Sequence, residues 1–501
     1  MKQDGKSANG GRRFRVGLAS VPFLPNFCRS QRWPVVNRTL AMRYPDWLAY
    51  AGGVLEREEG VEVVLRDFIA EGAEREAVAK WCGEWKPDLL VIDATTPSIY
   101  SDEEIARQCK AASPGTHVAM VGPHVSVYPA ETLTEAGGGV DSVAVGEYDY
   151  TLRDLTRALA GGESLEGVEG LVWRDADGGT HRNAARSPIE DLDALPFPAW
   201  RFLDVRKYRN NTYLYPFLDQ ISGRGCPNGC IFCQWPQVMH GRRYRYCSPE
   251  RVVAEMEDDF GRYGIREIFF EDDTLTTNRG RLREICELIL KVRRKMAWSC
   301  NSRVDWADLD LMKLMKAAGC RMLLIGPESG NQGILDRVHK GITLEQARTF
   351  AKTARRAGLK THSCWVVGLP GETRETMEET IRFAKELDTD TIQASAVMPQ
   401  VGTELFKMAT ENGWLKMKDW ADYAMHGEQT AVMEYPGLKQ GEMNAAVNRL
   451  LKGYYFRPRV MLRLLGQSIG RPSLLASYAR GFVGFVGYLR KRAGGVEGSG
   501  K

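Results

Sequence analysis

Short apolar runs alternate with helix-length amphipathic stretches along most of the chain. From Phe14 this pattern predicts strands over 14–20, 61–67, 88–94, 117–121 and 142–145. Helices are predicted over 45–59, 102–112, 130–136 and 150–160, with one more between the second and third strands. Strand–helix alternation of this length predicts an α/β unit, an open parallel sheet with helices on both faces. Such doubly wound sheets bind ligands beyond the carboxyl ends of their strands. The loops there, at 20–25, 94–98, 122–126 and 146–148, are built largely from Gly, Ser, Thr and Pro. The first strand lacks a G-x-G-x-x-G turn, which argues against a dinucleotide.

Residues 161–214 read as a linker. It holds a hairpin at 167–186 that turns at 175–179 and a Pro-punctuated stretch at 191–200. The alternation then resumes, with strands over 218–222, 267–270, 297–301, 322–325, 361–367 and 391–397. Helices are predicted over 249–263, 279–295, 309–318, 343–357 and 373–387. Six βα repeats are too few for a closed eight-fold barrel. Beyond 405 the spacing is helical to about 492, with apolar residues recurring near 454–465 and 474–489. Residues 1–12 and 493–501 are expected to be disordered. The expected division is 13–160, 161–214, 215–405 and 406–492.

A chain of 501 residues exceeds one ordinary core, and its 43% apolar and 26% charged residues are those of a soluble globular protein. Eleven cysteines at this length do not make a disulfide framework. Residues 1–13 are polar and Gly-rich rather than a charged–apolar–small leader, and no apolar run is long enough to span a bilayer. A reducing cytoplasmic setting is expected, with no nucleic-acid partner. The net charge of +4 is unevenly spread, because residues 451–501 hold ten Lys/Arg and one acid. Basic amphipathic helices of this kind lie on anionic membranes or, more commonly, pack on their own domain. A peripheral membrane contact through this region is therefore weighed against simple packing.

The densest chemistry lies at 222–235, Ser-Gly-Arg-Gly-Cys-Pro-Asn-Gly-Cys-Ile-Phe-Cys-Gln-Trp. Cys226, Cys230 and Cys233 stand in C-x3-C-x2-C spacing, with Phe232 before the last. Three thiolates wrap one metal centre but do not complete four-coordinate ligation. Structural zinc favours closed four-ligand sites, and a cubane takes one thiolate per iron. The economical reading is a [4Fe–4S] cluster with one open iron, against a zinc knuckle or three unrelated buried cysteines.

This loop resembles the cluster motif of the radical S-adenosylmethionine (SAM) superfamily. The resemblance implies a partial (β/α)6 barrel over about 215–400, with SAM chelating the open iron and being cleaved to a 5′-deoxyadenosyl radical. It also assigns strand-end roles. Glu328 and Ser329 in Gly-Pro-Glu-Ser-Gly resemble the ribose-binding segment. Gly368 in Val-Gly-Leu-Pro-Gly-Glu-Thr resembles the segment bordering adenine, where Glu372 suits a helix N-terminus. Arg303 suits a bidentate clamp on a carboxylate or a surface ion pair. Glu271-Asp272-Asp273 suits the active site, except that Asp273 alone reads as an N-cap. Met-Pro-Gln-Val-Gly-Thr-Glu-Leu at 398–405 matches the family pattern P-x-x-G-T-x-L.

Residues 121–130 and 145–148 resemble the cobalamin-binding domain found upstream of many radical SAM barrels. The D-x-H-x-x-G motif that supplies a lower histidine is absent, so cobalamin is expected without one. The resemblance points to Thr95, Ser98, Gly122, His124, Gly146 and Glu147 as cofactor contacts, with His124 read as a loop histidine satisfied by its neighbours. Residues 234–245 resemble the Trp-Pro-Gln segment of hopanoid-associated and phosphinate-methylase branches, and Arg242, Arg243 and Arg245 read as a solvated face. The implied function is methylation of an unactivated position on a small-molecule or lipid-linked substrate. A flavodoxin or ferredoxin would supply the electron. A skeleton rearrangement of a hopanoid or lipid-linked sugar, and a non-catalytic cofactor sensor, are the alternatives.

Overall fold

The computed structural model describes residues 12–24, 27–29, 35–36, 41–423 and 431–469. The expectations for 474–489 and for the two termini lie outside them.

Along Leu89–Asp93, Leu89 and Val91 join one core and Leu90 and Ile92 another, and all four are fully buried. A run apolar on both faces marks a central parallel strand. It is the third of five parallel strands, β1 Phe14–Ser20, β2 Val61–Asp67, β3 Leu89–Asp93, β4 His117–Val121 and β5 Ser142–Ala144. Their order is β2-β1-β3-β4-β5, so the connection reverses between β1 and β3, where doubly wound sheets bind ligands. Helices Asp46–Leu55 and Asp149–Gly161 cover one face, and Glu76–Trp85 and Ile99–Ala112 the other. The hairpin does more than link. Its strands extend the same sheet, β6 Leu171–Arg174 antiparallel to β5 and β7 Thr180–Arg182 antiparallel to β6.

The second sheet runs in chain order through β8 Phe217–Gln220, β9 Glu267–Phe270, β10 Trp298–Ser302, β11 Cys320–Glu328, β12 Lys360–Val367 and β13 Thr391–Ala396. Every pair is parallel. β8 and β13 are its two edges, which makes it a partial barrel. β11 runs three residues past its apolar run, and its register with β12 shifts between Ile325 and Glu328. Glu328 ends it with φ at 63°, a conformation unusual for a residue with a side chain.

Helix Asp46–Leu55 is the wedge between the two units. Tyr50 accepts from the Ile221 amide at 2.8 Å and donates to Glu255 at 3.0 Å. Just before the helix, Arg43 pairs with Asp219 of β8 and with Glu271 beyond β9. Helix Gln440–Tyr455 buries Met443, Val447, Leu450 and Tyr454 alongside β13 and helix Arg374–Leu387, so this part of the basic tail packs on the barrel. Helix Pro458–Ser468 leaves Leu462 and Leu465 exposed. Among the described residues, no helix is long and apolar enough to cross a membrane.

Candidate active site

The loop after β8 is held at its entrance by the carboxylates that follow β9. Ser222 donates to Asp272 from its amide at 2.6 Å and its hydroxyl at 2.8 Å, and Arg281 grips the Ser222 carbonyl at 3.0 Å. The Gly225 amide donates to Asp273 at 2.8 Å. Gly225 has φ at 87°, and a side chain there would strike the Arg243 carbonyl, so the approach to Cys226 requires glycine. Asp273 is thus a clamp on the cluster loop, not an N-cap, because Asn278 caps the next helix. Burial pushes Asp272 up to about 6.

The three cysteines that follow form no disulfide; Cys230 is buried and its two companions half-buried. Asn228 donates to Cys226 Sγ at 3.2 Å. Gln237, four residues past Cys233, donates to the carbonyls of Ile231 and Cys233 at 3.2 and 2.7 Å. Its Oε1 accepts the Glu404 amide at 2.9 Å, which ties the loop to the segment after β13. Irons of a cubane each take their own thiolate, so the ligands need not converge on a point. Among the described residues, no three His, Cys, Asp or Glu side chains do so. Burial pushes the thiols of Cys247 and Cys364 up to about 12. Three thiols and no fourth fit the cluster with one open iron.

Opposite the loop, Lys340 donates to Glu328 at 2.7 Å, with side chains 12% and 10% exposed. Its Nζ lies 5.9 Å from the ring of buried Phe232. Burial works against the Lys340 charge, but Glu328 and Cys230 more than offset it and hold its pKa above the usual value. The lysine therefore couples the cluster loop to the ribose-type motif. Ser329 is fully buried, its hydroxyl 3.2 Å from Thr380. Arg303 spends its guanidinium on Asp305 and on the Lys340 and Gly341 carbonyls, so it positions the lysine loop. Gly368 has φ at 91°, donates to Glu372, and accepts from Tyr435 Oη at 2.7 Å. Glu372 braces this backbone from inside, and burial pushes it up to about 8.

At the end of the first sheet, a cavity opens toward the barrel. Its walls include Asp93, Thr95 and Gly122 on one side and Gln234, Trp235 and Gln400 on the other. Gly122 has φ at 116°, and a Cβ would strike the Ala94 carbonyl, so the wall is bare backbone there. Burial pushes Asp93 up to about 7 despite Arg29. His124 is buried with Nδ1 3.2 Å from Thr96, and burial pulls it down to about 4.

The remaining predicted contacts stand behind the wall. Ser98 hydrogen-bonds Thr95 and Asp102, and Gly146 donates to Ser126 at 2.9 Å. Glu147 is instead an interdomain anchor, pairing with Arg224 at 2.6 Å and Arg245 at 2.9 Å. Burial alone would raise its carboxyl, but Arg224, His240 and Arg245 hold it below the usual range. The basic run is therefore mixed. Arg242 braces the cluster loop at the Asn228 carbonyl, Arg243 pairs with exposed Glu190, and Arg245 is buried.

Sequence reasoning missed Gln237, Lys340, Arg224 and Gln400. Gln237 and Arg224 lie within a few residues of the cysteines, and that proximity was the available signal. Gln400 stands inside the 398–405 motif, at a position the pattern leaves open, and Lys340 carried no signal beyond standing near a strand-end motif.

The models of two families match the chain, the radical SAM superfamily over 221–384 and the B12 binding domain over 34–156. An uncharacterized methyltransferase of Pyrococcus horikoshii is 33% identical over 419 residues, covering 84% of this chain and 89% of that protein. The anaerobic magnesium-protoporphyrin IX monomethyl ester cyclase of Rubrivivax gelatinosus is 28% identical, over 82% of this chain and 73% of the cyclase. The structure of a radical SAM methyltransferase, TsrM, from Kitasatospora setae, with cobalamin and a [4Fe–4S] cluster bound, aligns with a TM-score of 0.67. Its identity is 18%, covering 89% of this chain and 90% of TsrM.

Proposed function

The chain belongs to the radical SAM superfamily, in the branch that carries a B12-binding domain, and on that premise we propose that it methylates an unactivated carbon of a small molecule held between its two units. The observation that carries this reading is contiguity. Cys233, the third candidate ligand, is followed at once by Gln234 and Trp235, which line the cavity facing Thr95 and Gly122. One short segment thus serves both cofactor regions, as transfer between them requires.

In this family the cluster delivers the electron that cleaves SAM, and cobalamin supplies the methyl group. The chain's own part is binding, orientation and exclusion of water. Cys226, Cys230 and Cys233 would hold the cluster. Glu328, fixed by Lys340, and the Gly368 backbone, fixed by Glu372 and Tyr435, would orient SAM. Residues 13–160 would hold cobalamin, with Thr95 and the Gly122 backbone against it, and 215–405 would generate the radical. The electron would come from a low-potential donor of the flavodoxin or ferredoxin type.

The test is anaerobic reconstitution with SAM, methylcobalamin and a reductant, followed by mass analysis of candidate small-molecule pools. A product heavier by one methylene, formed with 5′-deoxyadenosine, is expected. A product with closed or rearranged carbon skeleton and no added methylene, the outcome suggested by the cyclase relative, would overturn methyl transfer.

A further inference from the structure

Gln400 is 2% exposed and lines the interdomain cavity, yet its Nε2 has no hydrogen-bond partner among the described residues. Native structures rarely leave a buried amide donor unpaired, so this one is an opening for a ligand acceptor. Its backbone is fixed, because the main-chain carbonyl accepts from the Thr403 amide and hydroxyl at 3.2 and 2.6 Å. Beside it on the same wall, Gln234 donates from Nε2 to the Val401 carbonyl at 3.0 Å. That bond orients the Gln234 amide and leaves Oε1 to act as the acceptor.

The wall is neutral. Trp235 and Met239 complete it on the barrel side. Among the described lining residues the cation is Arg29, committed to Asp102 at 2.7 and 2.9 Å and to the Val21 carbonyl. Among the described residues, a phosphate or carboxylate therefore finds no uncommitted charge partner at Gln400. A primary amide finds a donor and an acceptor together. Corrin rings carry primary acetamide and propionamide arms around their edge.

Resting on the cobalamin reading above, we propose that Gln400 and Gln234 form a barrel-borne amide clamp on the corrin edge, so that the radical SAM unit itself holds part of the cobalamin. The clamp would fix the cofactor against the barrel rather than leave this to the first sheet alone.

The test is equilibrium titration of full-length wild type, Gln400→Leu and Gln400→Glu with hydroxocobalamin, followed by absorbance. Iron content and melting temperature verify that each protein is folded. Loss of one such hydrogen bond predicts roughly 3- to 10-fold weaker binding for Gln400→Leu. The isosteric Gln400→Glu, which cannot donate when ionised, is expected to bind at least as weakly and stands in if the leucine variant misfolds. Folded variants that bind like wild type would overturn the clamp. Failure of wild type itself to bind cobalamin would overturn the underlying reading, a result distinct from any variant effect.

Discussion

Lys340 and Glu328 form a largely buried ion pair beside the cluster loop. Removing one partner of such a pair costs about 3–5 kcal/mol, because the survivor stays buried and uncompensated. Lys340→Met is thus expected to lower the melting temperature and weaken SAM binding, while the double variant Lys340→Met/Glu328→Gln recovers the melting temperature but not the binding. Thermal melts and SAM titration separate the two effects. Glu372 gives a pH signature. Its carboxyl rises from 4.5 to about 8 on folding, so its contribution to stability is fully present below about 4.5 and is lost as pH rises through 8. Glu372→Gln, which keeps the acceptor for the Gly368 and Leu369 amides, should flatten that alkaline decline in a melting-temperature series from pH 6 to 9.

At the scale of elements, the strand-end loops depend on braces distant in sequence. Gln237 staples the cysteine loop to the start of helix Glu404–Glu411. Gln237→Leu is expected to leave the fold intact but lower iron retained per chain after gel filtration, and full retention would refute the staple. Strands such as Phe14–Ser20 and Glu267–Phe270 were legible because each is a short apolar run bounded by turn residues. The cysteine triplet was legible from spacing alone. The tilt of Glu328 was not, since it follows from a register shift between β11 and β12. Glu147 was misplaced for a related reason. Its loop resembles a cofactor loop, but its partners Arg224 and Arg245 come from 77 and 98 residues away. Pairing at that range leaves no local pattern to read.

For the whole molecule, the two units are fastened by buried charge rather than by linker length. Arg224 sits between Glu147 and Asp149, at 2.6 and 2.7 Å, two residues before the first candidate ligand. Arg224→Met would strand Asp149 and leave Glu147 to Arg245 alone, and is expected to destabilise the protein by about 3 kcal/mol, loosening the contact that lets one cavity face both cofactor regions. Limited proteolysis is expected to cut the variant within 183–216 faster than wild type. The central claim remains that Cys226, Cys230 and Cys233 hold a cluster with one open iron. Anaerobic reconstitution of wild type and Cys230→Ala, with iron and sulfide analysis and SAM cleavage measured on the same samples, tests it most directly. About four irons per wild-type chain and 5′-deoxyadenosine formation, both lost together in Cys230→Ala, are predicted; zinc in place of iron, or a variant that keeps either property, would contradict it.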